Sequence, residues 1–186
     1  MGGVAHIAAE LTDKGIVRQL NALHRVTFGI RHAGQEPLAA KLAKLTDQAA
    51  FDSVYSENIE QSLWDKWTFL ATLAAMNTLM RANVGMIEST EFGGQAMQRM
   101  FEECCSIAEK SGFAISEKVR DQSLGILRKE NSDFTASMLR DLESGYRTEH
   151  EHIIGSMLRR GKQAKLDCPS LQLAYTQMMI RELKES

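Results

Sequence analysis

Apolar residues return at steps of three and four over seven stretches of the chain, 36–48, 57–81, 94–111, 116–129, 134–144, 148–165 and 169–183. That spacing puts them on one face of a helix, so each stretch is expected to be helical. The punctuation agrees with it. Pro37 and Pro169, the chain's two prolines, stand where helices begin, Ser116 suits an N-terminal cap, and Gly112, Gly145 and Gly161 lie near helix ends. The first 30 residues follow another pattern. Their short apolar runs, with Ile16, Val17, Val26, Thr27 and Phe28, lean toward β-structure and are broken at "TDKG" and "LNA". Two or three strands are expected there. The chain therefore divides into a ribbon, 1–30, and a helical body, 31–186. A ribbon alone buries little and leaves edge groups unpaired, so this one is expected to complete a larger sheet supplied from outside the chain.

Composition narrows the class. With 186 residues, 44% of them hydrophobic and 25% charged, the chain is expected to form a real core. A formal charge of -2 gives no overall basic field for nucleic acid or an anionic membrane. The apolar stretch around Leu70 to Leu79 is too short to span a bilayer, and the N-terminal residues lack the pattern of a signal peptide. Three cysteines, Cys104, Cys105 and Cys168, have no disulfide-framework spacing and fit a reduced, cytoplasmic compartment.

The stretch with most chemistry is "SENIEQSLWDKWTFLATLAAMNTLMR", residues 56–81, where Lys66 lies between two tryptophans. On a helix, Lys66 shares a stripe with Leu70, Leu73 and Asn77. A bland reading has the lysine snorkel to water. A functional one makes it a partly desolvated ammonium that donates a proton. Candidate partners stand in "TASMLRDLESGYRTEHEHIIGSMLRRG": Ser137, with Asp141, Glu143, Glu149 and Glu151, on two helices meeting near Gly145. Thr148 can cap the second of these, with Glu149 and Glu151 suiting its positive end. Glu149 and His152 form a single Glu-x-x-His, and His150 and His152 point to different sides of a helix, so no metal site is expected.

"NIEQSLWDKWTFLATLAAMNTLM", "SMLRDLESGYRTEHEHIIGSMLRRG" and "CPSLQLAYTQM", in that order, resemble the helical C-terminal domain of the ketopantoate reductase (2-dehydropantoate 2-reductase) family. The opening "GGVAHIAAELTDKGIVRQLNALHRVTFG" resembles the family's ribbon between domains, so the resemblance covers essentially the whole chain. It implies a mainly α fold, the C-terminal domain of the 6-phosphogluconate dehydrogenase-like type, with a short N-terminal β ribbon extending the sheet of a nucleotide-binding domain. It further implies an NADPH-dependent reduction of a 2-oxo acid, in pantothenate biosynthesis or in a paralogue with another substrate. Lys66 matches the family's proton-donating lysine, Glu149 the glutamate that positions it and keeps it charged, and Ser137 the serine at the substrate carboxylate. Where pantoate-forming enzymes carry asparagines, four and eight residues after the lysine, this chain has Leu70 and Ala74. Asn77, near the same face, is a candidate either to offer the substrate an amide or, equally, to serve the core or a helix contact.

No G-x-G-x-x-G follows an expected strand, so the chain alone is expected to bind no NADPH and to be inactive without a dinucleotide-binding domain. The apolar surface left by that domain is expected to favour a homodimer, of the family's kind or through paired strands. The alternative function is a non-catalytic helical interaction or dimerisation protein that keeps the fold.

Overall fold

The computed structural model describes residues 1–12 and 14–185, without the side chains of Asn21 and Glu185. They form two compact units, Met1–Lys66 and Trp67–Ser186.

In the first unit, β1 (Gly2–Leu11) and β2 (Val17–Gly29) are antiparallel, and β3 (Asp52–Tyr55) lies parallel to β2, giving the order β1-β2-β3. Thr12 and Ile16 close the turn of the ribbon, with Gly15 at φ 75°, a left-handed conformation that suits glycine. Asp13 of the expected "TDKG" break lies outside the described residues. The second expected break, at "LNA", is absent: β2 runs through it. The register instead slips between Ile7↔His24 and Ala9↔Gln19, so residues 20–23 of β2 lie opposite Ala8 alone. A bulge absorbs the weak β-formers without ending the strand.

β2 leads through α1 (Glu36–Thr46) to β3. These two elements, which the sequence pattern assigns to the helical body, group with the ribbon. At four residues β3 is too short to show an alternating pattern, and the sequence gives no sign of it. Val4 and Phe28, both buried, face opposite sides of the sheet, and Phe28 meets Tyr55 edge-on with centroids 5.9 Å apart. Ile59, which opens α2 (Ile59–Met80), is 1% exposed and lies over Gly2 and Gly29. Bare glycine backbone is what lets the helix approach the sheet so closely.

The second unit holds the rest of α2, then α3 (Val84–Glu88), α4 (Gly93–Lys110), α5 (Glu117–Leu127), α6 (Ser137–Glu143), a π turn (Glu151–Gly155) running into α7 (Ser156–Gln163), and α8 (Pro169–Glu185). α4 buries Met97, Met100, Phe101, Cys104, Cys105, Ile107 and Ala108, a stripe of helical period. Its Glu103 carboxylate accepts the N–H groups of Ser170 and Leu171 at 2.9 and 3.0 Å, capping α8 from outside. Ser116 caps α5 as expected, accepting the Val119 N–H.

Three differences from the sequence pattern have physical reasons. α3 is a single short turn capped by Asn83, too brief to show a period. α6 begins at Ser137 because the residues before it pair elsewhere: the Val84 and Gly85 N–H groups donate to Phe134 and Ser132, and the Ala136 N–H donates to Asn77. The helix expected over 148–165 is interrupted by the π turn, where the Ser156 N–H donates to Glu151 five residues back.

A Cβ at Gly29 would come within 2.4 Å of the Ser56 carbonyl oxygen and 2.8 Å of Ile59 Cβ. Gly29→Ala is therefore expected to lower stability by about 1–3 kcal/mol, whereas Gly125→Ala, in open space on α5, should raise it by about 0.5–1 kcal/mol. Urea unfolding of the two variants checks both signs.

Candidate active site

Lys66 ends the first unit, half-buried, and its Nζ donates to the Ala5 carbonyl of β1. β1 is an edge strand, so the lysine meets the backbone on the sheet's free side. Burial pushes the lysine's pKa below its ordinary value. Beside it, Asp65 accepts from Gln61 Nε2 at 2.8 Å, and burial raises this carboxyl despite that bond. His6 follows Ala5, and its imidazole is held below its ordinary value first by burial, then by the charges of Lys66 and Arg25. The His6 Nδ1 atom is shielded from solvent and has no hydrogen-bond partner.

The other expected site residues stand in the second unit. Ser137 is exposed at the first position of α6. Asn77 is fully buried and its amide is engaged at both ends: Oδ1 accepts the Ala136 N–H and Nδ2 donates to the Ala82 carbonyl, each at 2.8 Å. It thus ties the end of α2 to the residue preceding Ser137. Glu149 is exposed just before the π turn, and its carbonyl accepts the His152 and Ile153 N–H groups, each at 3.0 Å. The Thr148 hydroxyl, expected as a helix cap, is engaged with Nδ1 of buried His150 at 2.8 Å.

Two features here are invisible to sequence spacing. Glu151 accepts from Tyr175 OH at 2.6 Å and pairs with Arg159; the tyrosine's hydrogen bond, then that of the arginine, pull its carboxyl below the usual range. The π turn is also pinned by Trp67, whose Nε1 donates to the Ile153 carbonyl at 3.1 Å while the Arg160 guanidinium lies over its ring, 5.5 Å from the centroid. Each joins residues far apart in sequence, and neither gave a local signal. Among the described residues no three His, Cys, Asp or Glu side chains form a metal-binding group, and no helix is long and apolar enough to cross a membrane.

The described residues thus form a helix-rich chain opening on a small sheet, with a half-buried lysine on its longest helix. Residues 58–182 match the family described as "Ketopantoate reductase PanE/ApbA C terminal", and the chain belongs to that family. It is 27% identical over 185 residues, all of this chain and 61% of its relative, to the uncharacterized oxidoreductase YkpB of Bacillus subtilis. It is 23% identical to the 2-dehydropantoate 2-reductase of Halobacterium salinarum, covering 92% of this chain and 56% of that one. Among solved structures it resembles a dimeric ketopantoate reductase from Staphylococcus aureus (TM-score 0.84, 20% identity, 99% of this chain and 62% of that one). It also resembles a D-mandelate dehydrogenase complexed with NADH (TM-score 0.84, 20% identity, 98% of this chain and 61% of that one). At those identities the likeness is one of fold. The chain spans about six-tenths of the length of the relatives it matches.

Replacing Asn77 with alanine leaves the Ala136 N–H and the Ala82 carbonyl without their partners. The Ala136 N–H is buried and the Ala82 carbonyl only partly so; at about 1–3 kcal/mol for a buried group left unpaired, Asn77→Ala is expected to cost about 1–3 kcal/mol in chemical unfolding. A change below about 0.5 kcal/mol would show that water replaces the amide.

Proposed function

We propose that this chain is the substrate-binding part of an NADPH-dependent 2-oxo acid reductase, a helical domain of the 6-phosphogluconate dehydrogenase-like type whose ribbon extends the sheet of a nucleotide-binding domain. The observation that carries the reading is the state of Lys66. A half-buried ammonium with a lowered pKa, held by a single backbone carbonyl, can exchange that carbonyl for a substrate's. Its hydrogen bond strengthens as negative charge develops on the substrate oxygen. As the C=O π bond breaks, a proton passes from Nζ to that oxygen, forming the O–H of a 2-hydroxy acid and leaving a neutral amine. In this reading Glu149 keeps the lysine charged, Ser137 meets the substrate carboxylate, and Asn77 holds the segment before Ser137 without touching substrate.

In this reading the hydride comes from NADPH, which the nucleotide-binding domain would hold. The parallel connection β2–α1–β3 is where a pyrophosphate would be sought, yet the Arg31 and Gly34 N–H groups in it donate to Gln35 and Glu36 at 3.0 and 2.7 Å. A carboxylate already occupies that helix start and repels a phosphate. Titrating the 186-residue chain with NADPH is expected to show no saturable binding, and micromolar affinity would overturn this part of the reading.

Leu70 and Ala74, in place of the family's asparagines, favour a 2-oxo acid with an apolar side chain. Leu70 remains partly exposed, whereas Ala74 is 2% exposed and inside the core. The fold-level likeness to a D-mandelate dehydrogenase bound to anilino(oxo)acetate fits such a substrate. The decisive assay uses the chain joined to its dinucleotide-binding domain. Lys66→Met is expected to lower kcat by about 10²–10⁴-fold, and bulky apolar 2-oxo acids should be reduced faster than ketopantoate. Undiminished kcat in Lys66→Met would remove the lysine from the chemistry. The reading also includes a homodimer, consistent with the dimeric relative, and a solution mass equal to that of one chain would count against it.

A further inference from the structure

Glu149 stands in a segment of the second unit whose neighbouring side chains are tied down. The Thr148 hydroxyl meets Nδ1 of His150 at 2.8 Å, so the residues on either side of the glutamate are joined to each other. His150 is 2% exposed and its ring lies against α8, with its centroid 6.2 Å from that of Tyr175. The same tyrosine holds the next residue, its hydroxyl donating to the Glu151 carboxylate at 2.6 Å. Two helical turns beyond Tyr175, on the same face of α8, Glu182 brings Oε1 to 3.6 Å from His150 Nε2. That separation is too long for a hydrogen bond, and the buried Nε2 makes none, but it is within reach of the carboxylate's charge. The exposed Glu149 carboxylate takes part in none of these contacts. Residues 146–149 also belong to no helix or strand, so no repeating backbone bonds aim the glutamate.

We propose that His150 is a positioning residue for Glu149: buried against α8 and bonded to Thr148, its ring fixes the backbone on both sides of the glutamate and so sets where the carboxylate stands. The two ring nitrogens suit their surroundings. A proton on Nε2 faces the Glu182 carboxylate, which leaves Nδ1 as the acceptor for the Thr148 hydroxyl. The hold matters because a carboxylate keeps an ammonium charged only from close by, the interaction falling with separation. That consequence rests on the role proposed above for Glu149. It makes His150 a residue that acts on turnover through its neighbour and touches no substrate.

The test is a double-mutant cycle in the chain joined to its dinucleotide-binding domain, with urea unfolding of every variant in parallel. His150→Leu is expected to lower kcat by roughly 10–100-fold with KM little changed. His150→Asn, whose amide oxygen can stand where Nδ1 does and accept from Thr148, should recover most of the loss. Thr148→Val, which keeps the shape and removes the hydroxyl, should lower kcat in the same way. In a Glu149→Ala background His150→Leu should cost no further kcat, because no carboxylate is left to aim, while it still lowers stability. A residue that only packs would lower stability without this dependence on Glu149. Additive losses of kcat overturn the proposal, and so does an unchanged kcat in His150→Leu; if that variant does not fold, an unchanged kcat in Thr148→Val overturns it instead. An unchanged kcat in Glu149→Ala removes the glutamate from the chemistry and this proposal with it, so the failure of the earlier reading is told apart from a failure of the His150 assignment alone.

Discussion

The second unit is organised by the need to bury one helix on every side. From Ala71 to Thr78 each side chain of α2 is buried, which requires neighbours all round it and a place for each polar group it carries. Thr72 and Thr78 turn their hydroxyls back onto the carbonyls of Thr68 and Ala74, at 2.9 and 2.7 Å. The remaining polar contacts reach outward and set the neighbours in place. Asn77 holds Ala136 ahead of α6, Phe69 faces Phe134 with centroids 6.3 Å apart, and Trp67 pins the π turn. Through Asn77 and Trp67 the helix thereby fixes the segments bearing Ser137 and Glu149.

The same helix shows how far sequence could be read. The extents of α4, α5 and α8 follow from apolar periodicity because each buries a stripe long enough for the period to repeat, and α2, buried all round over 71–78, is legible from the length of its apolar run. β3 and α3 span less than a repeat, and the bulge in β2 and the π turn are local departures paid for by contacts distant in sequence. The site divides along the same line. Lys66 stands out as a cation in an apolar stripe, and the family resemblance supplied Ser137 and Glu149. Asn77 stood on the expected face, but periodicity could not show that both ends of its amide serve the backbone. Tyr175 and Arg159 gave no signal, since each matters through a partner that only folding brings near.

The electrostatics of the lysine follow from its position on an edge strand. A buried ammonium facing a carboxylate would be stabilised as the charged form, whereas facing a peptide carbonyl it keeps a depressed pKa. It also covers a carbonyl on the open side of the sheet, where a foreign strand would otherwise find an acceptor.

The π turn has a consequence of a different kind. Relative to an uninterrupted α-helix it contains one additional residue, and one residue of α-helix is worth about 100° of rotation. Thr148, Glu149 and His150 are therefore turned by that angle against α7 from where a regular helix would aim them. Substitutions inside Glu151–Gly155 leave this phase intact, but deleting any one of the five lets the segment relax to α-helix and swings the Glu149 carboxylate a quarter-turn or more about the axis. The orientation of that carboxylate is thus encoded in the length of the segment as well as in its composition.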